Sequence, residues 1–171
     1  MLRFKDRLNL KIIDINSLNQ FFLFIFTVMK IVNKKAYFNY QVLEDFTAGL
    51  VLVGSEVKSL RENGINFGDS FIIFKEGELW LKNLTISKYK QSSYQNHEEL
   101  RDRKVLLTKK EISKISKMTE TKGTTIIPLE IFTVNGRFKL KMGVCRGKKD
   151  WNKKEDIKKR DVERELRRKD F

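Results

Sequence analysis

The chain has 171 residues, 40% of them hydrophobic, and a formal net charge of +14; that length holds one domain plus appendages, with apolar material for one modest core. So large a cationic excess favours a polyanionic partner, nucleic acid or an anionic membrane surface, because each Lys or Arg set beside a phosphate releases condensed counterions. The one cysteine, Cys145, excludes an internal disulfide framework and fits a reducing cytoplasm, and no CxxC or Cys/His cluster is present to hold zinc.

Residues 1–28 read as an upstream extension. Phe21 to Met29 is an apolar run preceded by Arg3, Lys5, Arg7 and Lys11. It falls well short of the roughly 20 residues that span a bilayer, and no small-residue cleavage site follows it. Met29 begins a sensible protein by itself. A start-site misassignment is therefore the first reading and a membrane-attached segment the second; no stable membrane association is expected.

The body is expected over residues 29–147. Tyr37 to Leu43 and Leu50 to Val53 read as strands, with Thr47-Ala48-Gly49 near the turn between them. Ser55 is placed to cap a short helix over Glu56 to Arg61, ended by Asn63-Gly64. Val57 and Leu60, three apart, face the core together, so Glu56, Lys58 and Arg61 point elsewhere. Phe71 to Phe74 and Glu78 to Leu81 flank Glu76-Gly77 and predict a β-hairpin. A polar loop rich in Ser, Gln, Asn and Tyr runs from Ser87 to about Leu100. Beyond the apolar Val105 to Leu107, Thr108-Lys109-Lys110-Glu111 matches a capping box. The helix it opens carries an apolar stripe of Ile112, Ile115 and Met118 and stops at Gly123. Ile126 to Val134 and Arg137 to Val144 flank Asn135-Gly136, the strongest short hairpin signal. Phe138, Leu140, Met142 and Val144 alternate with Lys139 and Lys141, giving one core face and one basic face. Many short antiparallel strands with few helices predict a mainly β fold, an OB-like antiparallel barrel that binds RNA on one face.

Residues 148–171 form a basic tail. From Arg146 to Phe171 there are twelve Lys/Arg against seven Asp/Glu. Ile157, Val162 and Leu166 make a stripe too thin to bury well, and isolated helices of this length are marginal in water. The tail is expected to be largely disordered alone and helical when bound. Trp151 sits among Lys148, Lys149, Lys153 and Lys154, where an indole can stack on a base while lysines hold phosphates.

Catalysis is not predicted. His97 is the only histidine and lies in the polar loop, where a structural or RNA-contact role suits it better than general-base work. Cys145 ends an alternating strand and reads as packing. No phosphate-binding glycine loop, dinucleotide fingerprint or HExxH occurs, and no cofactor or metal is expected.

Several strings line up, in order and at matching intervals, with one family. They are Asn33-Lys34-Lys35-Ala36, Ala48-Gly49, Gly54-Ser55-Glu56-Val57-Lys58-Ser59-Leu60-Arg61, Asp69-Ser70, Asn96-His97, Arg101-Asp102-Arg103-Lys104-Val105-Leu106-Leu107 and Arg146-Gly147-Lys148-Lys149. From about Met29 to Arg168 the chain resembles the SsrA-binding protein, or small protein B, family. The resemblance implies an OB-like barrel that binds the tRNA-like domain of transfer-messenger RNA, with the ribosome as second partner and rescue by trans-translation in the cytoplasm as outcome. It assigns Asn33, Lys34, Glu56, Lys58, Arg61, Arg101, Arg103 and Lys104 to the RNA-facing body. It assigns Lys148, Lys149, Trp151, Asn152, Lys153 and Lys154 to a tail that probes the vacant messenger channel and decoding region. Another structured-RNA-binding or ribosome-associated protein with a basic tail is the alternative. The chain departs from the family at Thr47, where Glu is frequent, at Trp151, where His or Tyr is usual, and at Asn152-Lys153-Lys154 in place of Asp-Lys-Arg. The last change keeps charge and loses the bidentate guanidinium fork.

Overall fold

The structure is a computed structural model that describes residues 29–91, 96–149 and Glu165. The expected extension over 1–28 lies outside the described residues, as do Trp151, Asn152, Lys153 and Lys154 of the tail. In chain order the elements are β1 (Lys30–Val32), α1 (Lys34–Asn39), β2 (Tyr40–Leu50), α2 (Gly54–Arg61), β3 (Ile65–Asn66), β4 (Phe71–Lys75), β5 (Glu78–Lys82), β6 (Thr85–Ile86), β7 (Arg103–Leu106), α3 (Lys109–Thr119), β8 (Thr124–Val134) and β9 (Arg137–Gly147). Strands β8, β4, β5, β7, β2 and β9 follow one another by antiparallel pairing, and β9 pairs back onto β8. The ring closes, which removes the free edges of an open sheet. β1 adds to β8, and β3 with β6 forms a separate two-stranded pair. This is the OB-like architecture expected from the strand pattern.

Both predicted hairpins form. Glu76 (φ 54°) and Gly77 (φ 76°) join β4 to β5, and Asn135 (φ 49°) and Gly136 (φ 74°) join β8 to β9. Two successive positive φ values match the right-handed twist of the strands they connect. Along β9, Phe138, Leu140, Met142 and Val144 enter the barrel core with Leu79, Leu81, Ile126 and Ile131. The alternation expected there holds as far as Met142. At Gly143 and Cys145 the opposite face is buried too, and Cys145 packs with Ala36 of α1, Ile127 and Leu129 in a second apolar cluster. Burial pushes the Cys145 thiol up to about 11, which keeps it unreactive, as its packing role requires. In α3 the Thr108–Glu111 capping box forms. Ile115 is fully enclosed, while Ile112 and Met118 are partly buried against the core.

Three local expectations are corrected. Tyr37 to Asn39, expected to begin a strand, instead belong to the helix α1. Asn33 caps α1 by accepting from the Ala36 amide (3.0 Å), and its own side-chain amide donates to the Pro128 carbonyl (2.9 Å). Its backbone N–H donates to the Leu129 carbonyl (2.8 Å). The register of β8 shifts between Pro128 and Glu130, so a bulge frees these carbonyls to anchor the helix. Secondly, β2 runs unbroken through Thr47-Ala48-Gly49. Phe46 and Ala48 point into the core, and a Cβ on Gly49 would stand 3.2 Å from the Leu106 Cβ; this glycine serves close strand approach, not a turn. β2 ends at Leu50, so the strand expected over Leu50 to Val53 is absent. Thirdly, α3 ends at Thr119 rather than at Gly123, whose φ of +83° turns the chain into β8. The Thr124 hydroxyl donates to the Thr121 carbonyl there (2.6 Å).

Candidate nucleic-acid interface

The loop before β7, together with α2, builds the most elaborate polar site of the described residues. Glu56 sits in the first turn of α2 and is fully buried. One carboxylate oxygen accepts from the Val53 amide (2.8 Å) and from Nη2 of Arg101 (2.5 Å). The other accepts from Nε of Arg101 (2.8 Å) and Nε of Arg103 (2.8 Å). Burial by itself raises a carboxyl pKa. Here the Arg101 bond, the Val53 amide and the charges of Arg103 and Arg101 outweigh it and hold Glu56 below the usual carboxylate range. The helix-opening role expected of Ser55 is thus taken by the Glu56 side chain, and Glu56 points inward rather than away from the core.

Arg103 is also fully buried. Its remaining bonds go to the carbonyls of Leu84 (2.6 Å), Arg101 (3.0 Å) and Glu99 (3.0 Å). It ties α2, the residue that leads into β6 and the loop into one frame. Arg101 is partly exposed and also donates to the carbonyls of Val51 (3.2 Å) and Asp102 (3.3 Å). His97 completes the frame. Its Nε2 lies 2.9 Å from the Ile86 carbonyl, and its Nδ1 2.9 Å from the Ser55 hydroxyl. A carbonyl only accepts, so Nε2 carries a proton and donates to Ile86. Asn96 holds the loop: its amide donates to the Tyr89 carbonyl (3.0 Å) and accepts from the Tyr89 N–H (3.2 Å).

Above this frame lies an open groove of about 540 Å³, lined by Val53, Gly54, Ser55, Lys58, Tyr89, Asn96, His97 and Arg101. Lys58 Nζ stands 5.4 Å from the centre of the Tyr89 ring, a cation–π spacing. Arg61, one turn on along α2, is exposed. The groove therefore offers cations and an aromatic face on a hydrogen-bonded scaffold in which two guanidinium groups share one carboxylate.

The other expected residues lie elsewhere. Lys104 is bonded to Glu78 (2.5 Å) on the β7–β5 pair. Asn33 spends its amide on the α1 anchor, and Lys34 is exposed on α1. Lys148 joins them: its backbone N–H donates to the Asn39 carbonyl (2.9 Å) and its Nζ to the Tyr37 carbonyl (3.1 Å). The described residues thus fall into a groove set and a set along α1, with Asn33 and Lys34 at its N-terminal end and Lys148 at its C-terminal end, while Lys104 stands apart on β7. Sequence reasoning did not single out Tyr89. Its signal was an aromatic beside Lys88 and Lys90 in an otherwise small and polar loop. Thr47, where the family often has Glu, stands opposite Lys141 in register, and Lys141 bonds Asp45 (3.1 Å).

No helix of the described residues is long and apolar enough to cross a membrane. The family model described as SmpB protein matches residues 30–170. The SsrA-binding protein of Treponema denticola is 49% identical over 144 residues, which cover 83% of this chain and 94% of that protein. The SsrA-binding protein of Ligilactobacillus salivarius is 48% identical over 136 residues, covering 80% of this chain and 88% of its own length. A chain in a solved structure described as "tmRNA-SmpB: a journey to the center of the bacterial ribosome" is 42% identical, with a TM-score of 0.61. It covers 71% of this chain and 85% of that one.

Proposed function

The chain belongs to the SmpB protein family, and on that premise we propose that it binds the tRNA-like domain of transfer-messenger RNA and delivers it to stalled ribosomes for rescue by trans-translation. The observation that carries this reading is the groove: Lys58, Tyr89 and Arg101 on a hydrogen-bonded frame in which Arg101 and Arg103 share the one carboxylate of Glu56, leaving a positive charge in excess. Cations held on such a frame meet phosphates with little reorganisation, and the half-buried Tyr89 ring lining the groove offers a face to an unstacked base. Glu56 and Arg103, being buried, act as positioning residues beneath this surface. Lys58, Arg61 and Arg101 are the contacts on it. Nothing in this role needs bond-making by the protein, so the chain is read as a binding factor and not an enzyme. It works where its RNA and ribosome partners are, in the cytoplasm.

Lys58→Ala, with Arg61→Ala as companion, tests the groove. Each loses affinity for the isolated tRNA-like domain and lowers the steepness of the salt dependence by about 1 in log–log slope, as expected for one lost phosphate contact. Both residues are exposed, so the fold is retained. An unchanged slope in both variants moves the interface away from the groove.

A further inference from the structure

We propose that a second cavity, between α1 and the Gly68-Asp69-Ser70 turn, receives one unstacked nucleobase of an RNA partner. The proposal rests on the RNA-binding reading above and adds a subsite to it. The cavity holds about 240 Å³, and Lys35, Asn39, Tyr40, Ser70, Phe71 and Ile127 are among the residues that line it. Ser70 is only 4% exposed. Its hydroxyl is the one buried side-chain polar atom without a hydrogen-bond partner among the described residues. Such atoms are costly, and native proteins keep few of them. The turn that carries it is otherwise closed: the Ser70 N–H donates to the Phe67 carbonyl (2.9 Å) and the Gly68 N–H to the Asn66 side chain (2.9 Å).

The lining decides the class of ligand. Lys35 Nζ is 2.7 Å from an Asp69 carboxylate oxygen, so the cation at the mouth is already neutralised. A phosphate entering here meets that carboxylate. A nucleobase is neutral and planar and carries both donors and acceptors, which suits Ser70, Thr125, Asn39 and the carboxylate. Tyr40, Phe71 and Ile127 supply apolar wall for its faces. The backbone of the same nucleotide has a cation nearby: Lys148 Nζ is bonded to the Tyr37 carbonyl, and the Lys148 backbone N–H to the carbonyl of Asn39, a residue of the cavity wall. Transfer-messenger RNA and ribosomal RNA offer the same chemistry.

Titration of the isotope-labelled full chain with the four nucleoside monophosphates and with ribose 5-phosphate tests the site. Saturable amide shifts at Ser70, Phe71 and Thr125 are expected with nucleotides and absent with ribose 5-phosphate. Equal shifts with the sugar phosphate, or none at these amides, overturn the proposal. Ser70→Ala removes a hydroxyl that no protein group uses; it folds normally and weakens the nucleotide response several-fold. Its affinity for the tRNA-like domain and for ribosomes then tells the two sources apart, and loss in neither counts against use of the cavity. A wild-type chain that binds the tRNA-like domain tightly yet shows no cavity shifts sinks this proposal alone. Failure to bind that domain sinks the function proposed above.

Discussion

Glu56→Ala costs about 3–5 kcal/mol of folding stability and abolishes RNA binding under conditions where the wild-type chain is folded. The magnitude follows from what remains behind. Arg103 is fully buried and Arg101 partly so, and both guanidinium groups lose their shared counter-charge at once. The Val53 amide loses its acceptor, so the first turn of α2 frays as well. An exposed pair such as Lys82–Asp102 (2.7 Å) contributes far less, because water and salt screen it. Glu56→Gln keeps the shape but turns a donor-bearing amide towards guanidinium donors, so it destabilises too. Urea unfolding reads the effect as a lower midpoint at an unchanged m-value; a midpoint within error of wild type would contradict it. The pH dependence has a definite sign. The folded-state pKa of Glu56 lies below its unfolded value. Its stabilisation is therefore complete above the unfolded pKa, about 4.3, and is lost as the pH falls through the folded one. The gap between wild type and Glu56→Gln should narrow as the solution is acidified from neutral.

Truncation after Lys149 leaves affinity for the tRNA-like domain within about threefold of the full chain, roughly 0.7 kcal/mol, and reduces tagging of stalled peptides to background. The groove and its frame lie wholly within residues 51–104, and the cut touches none of them. The position of the cut matters. A break at residue 145 would strip the Tyr40–Gly147 end of the β2–β9 ladder and both Lys148 bonds to α1. That break would confuse a lost tail with a damaged body. Trp151→Ala in the full chain is the finer version: RNA affinity is kept while rescue falls. Tagging at the wild-type level by the truncated chain would remove any role for the tail.

Legibility in the sequence followed how local each signal was. The β4–β5 and β8–β9 hairpins were readable because two adjacent residues set each turn. The opening of α3 was readable because Thr108 and Glu111 cap it within one turn. α1 was not, since its six residues have no periodic stripe and depend on bulged carbonyls of β8 and on Lys148, far along the chain. The groove was readable in part. Family strings named Glu56, Lys58, Arg101 and Arg103, but the inward turn of Glu56 depends on two arginines more than forty residues away. Charge alone therefore could not separate the side chains that meet a partner from those that hold the frame. Ser55 shows the same limit: it was read as a cap and is committed to His97 across the groove.

The central claim is that the body selects one RNA. The most direct measurement is competition: full-length chain on labelled tRNA-like domain at fixed, stated salt, challenged with unlabelled tRNA-like domain and with unrelated structured RNAs of equal length. Displacement by the first and retention against the others, over at least a hundredfold excess, is the result predicted. Equal displacement by the unrelated RNAs would contradict the claim and leave a general RNA-binding protein with a basic tail.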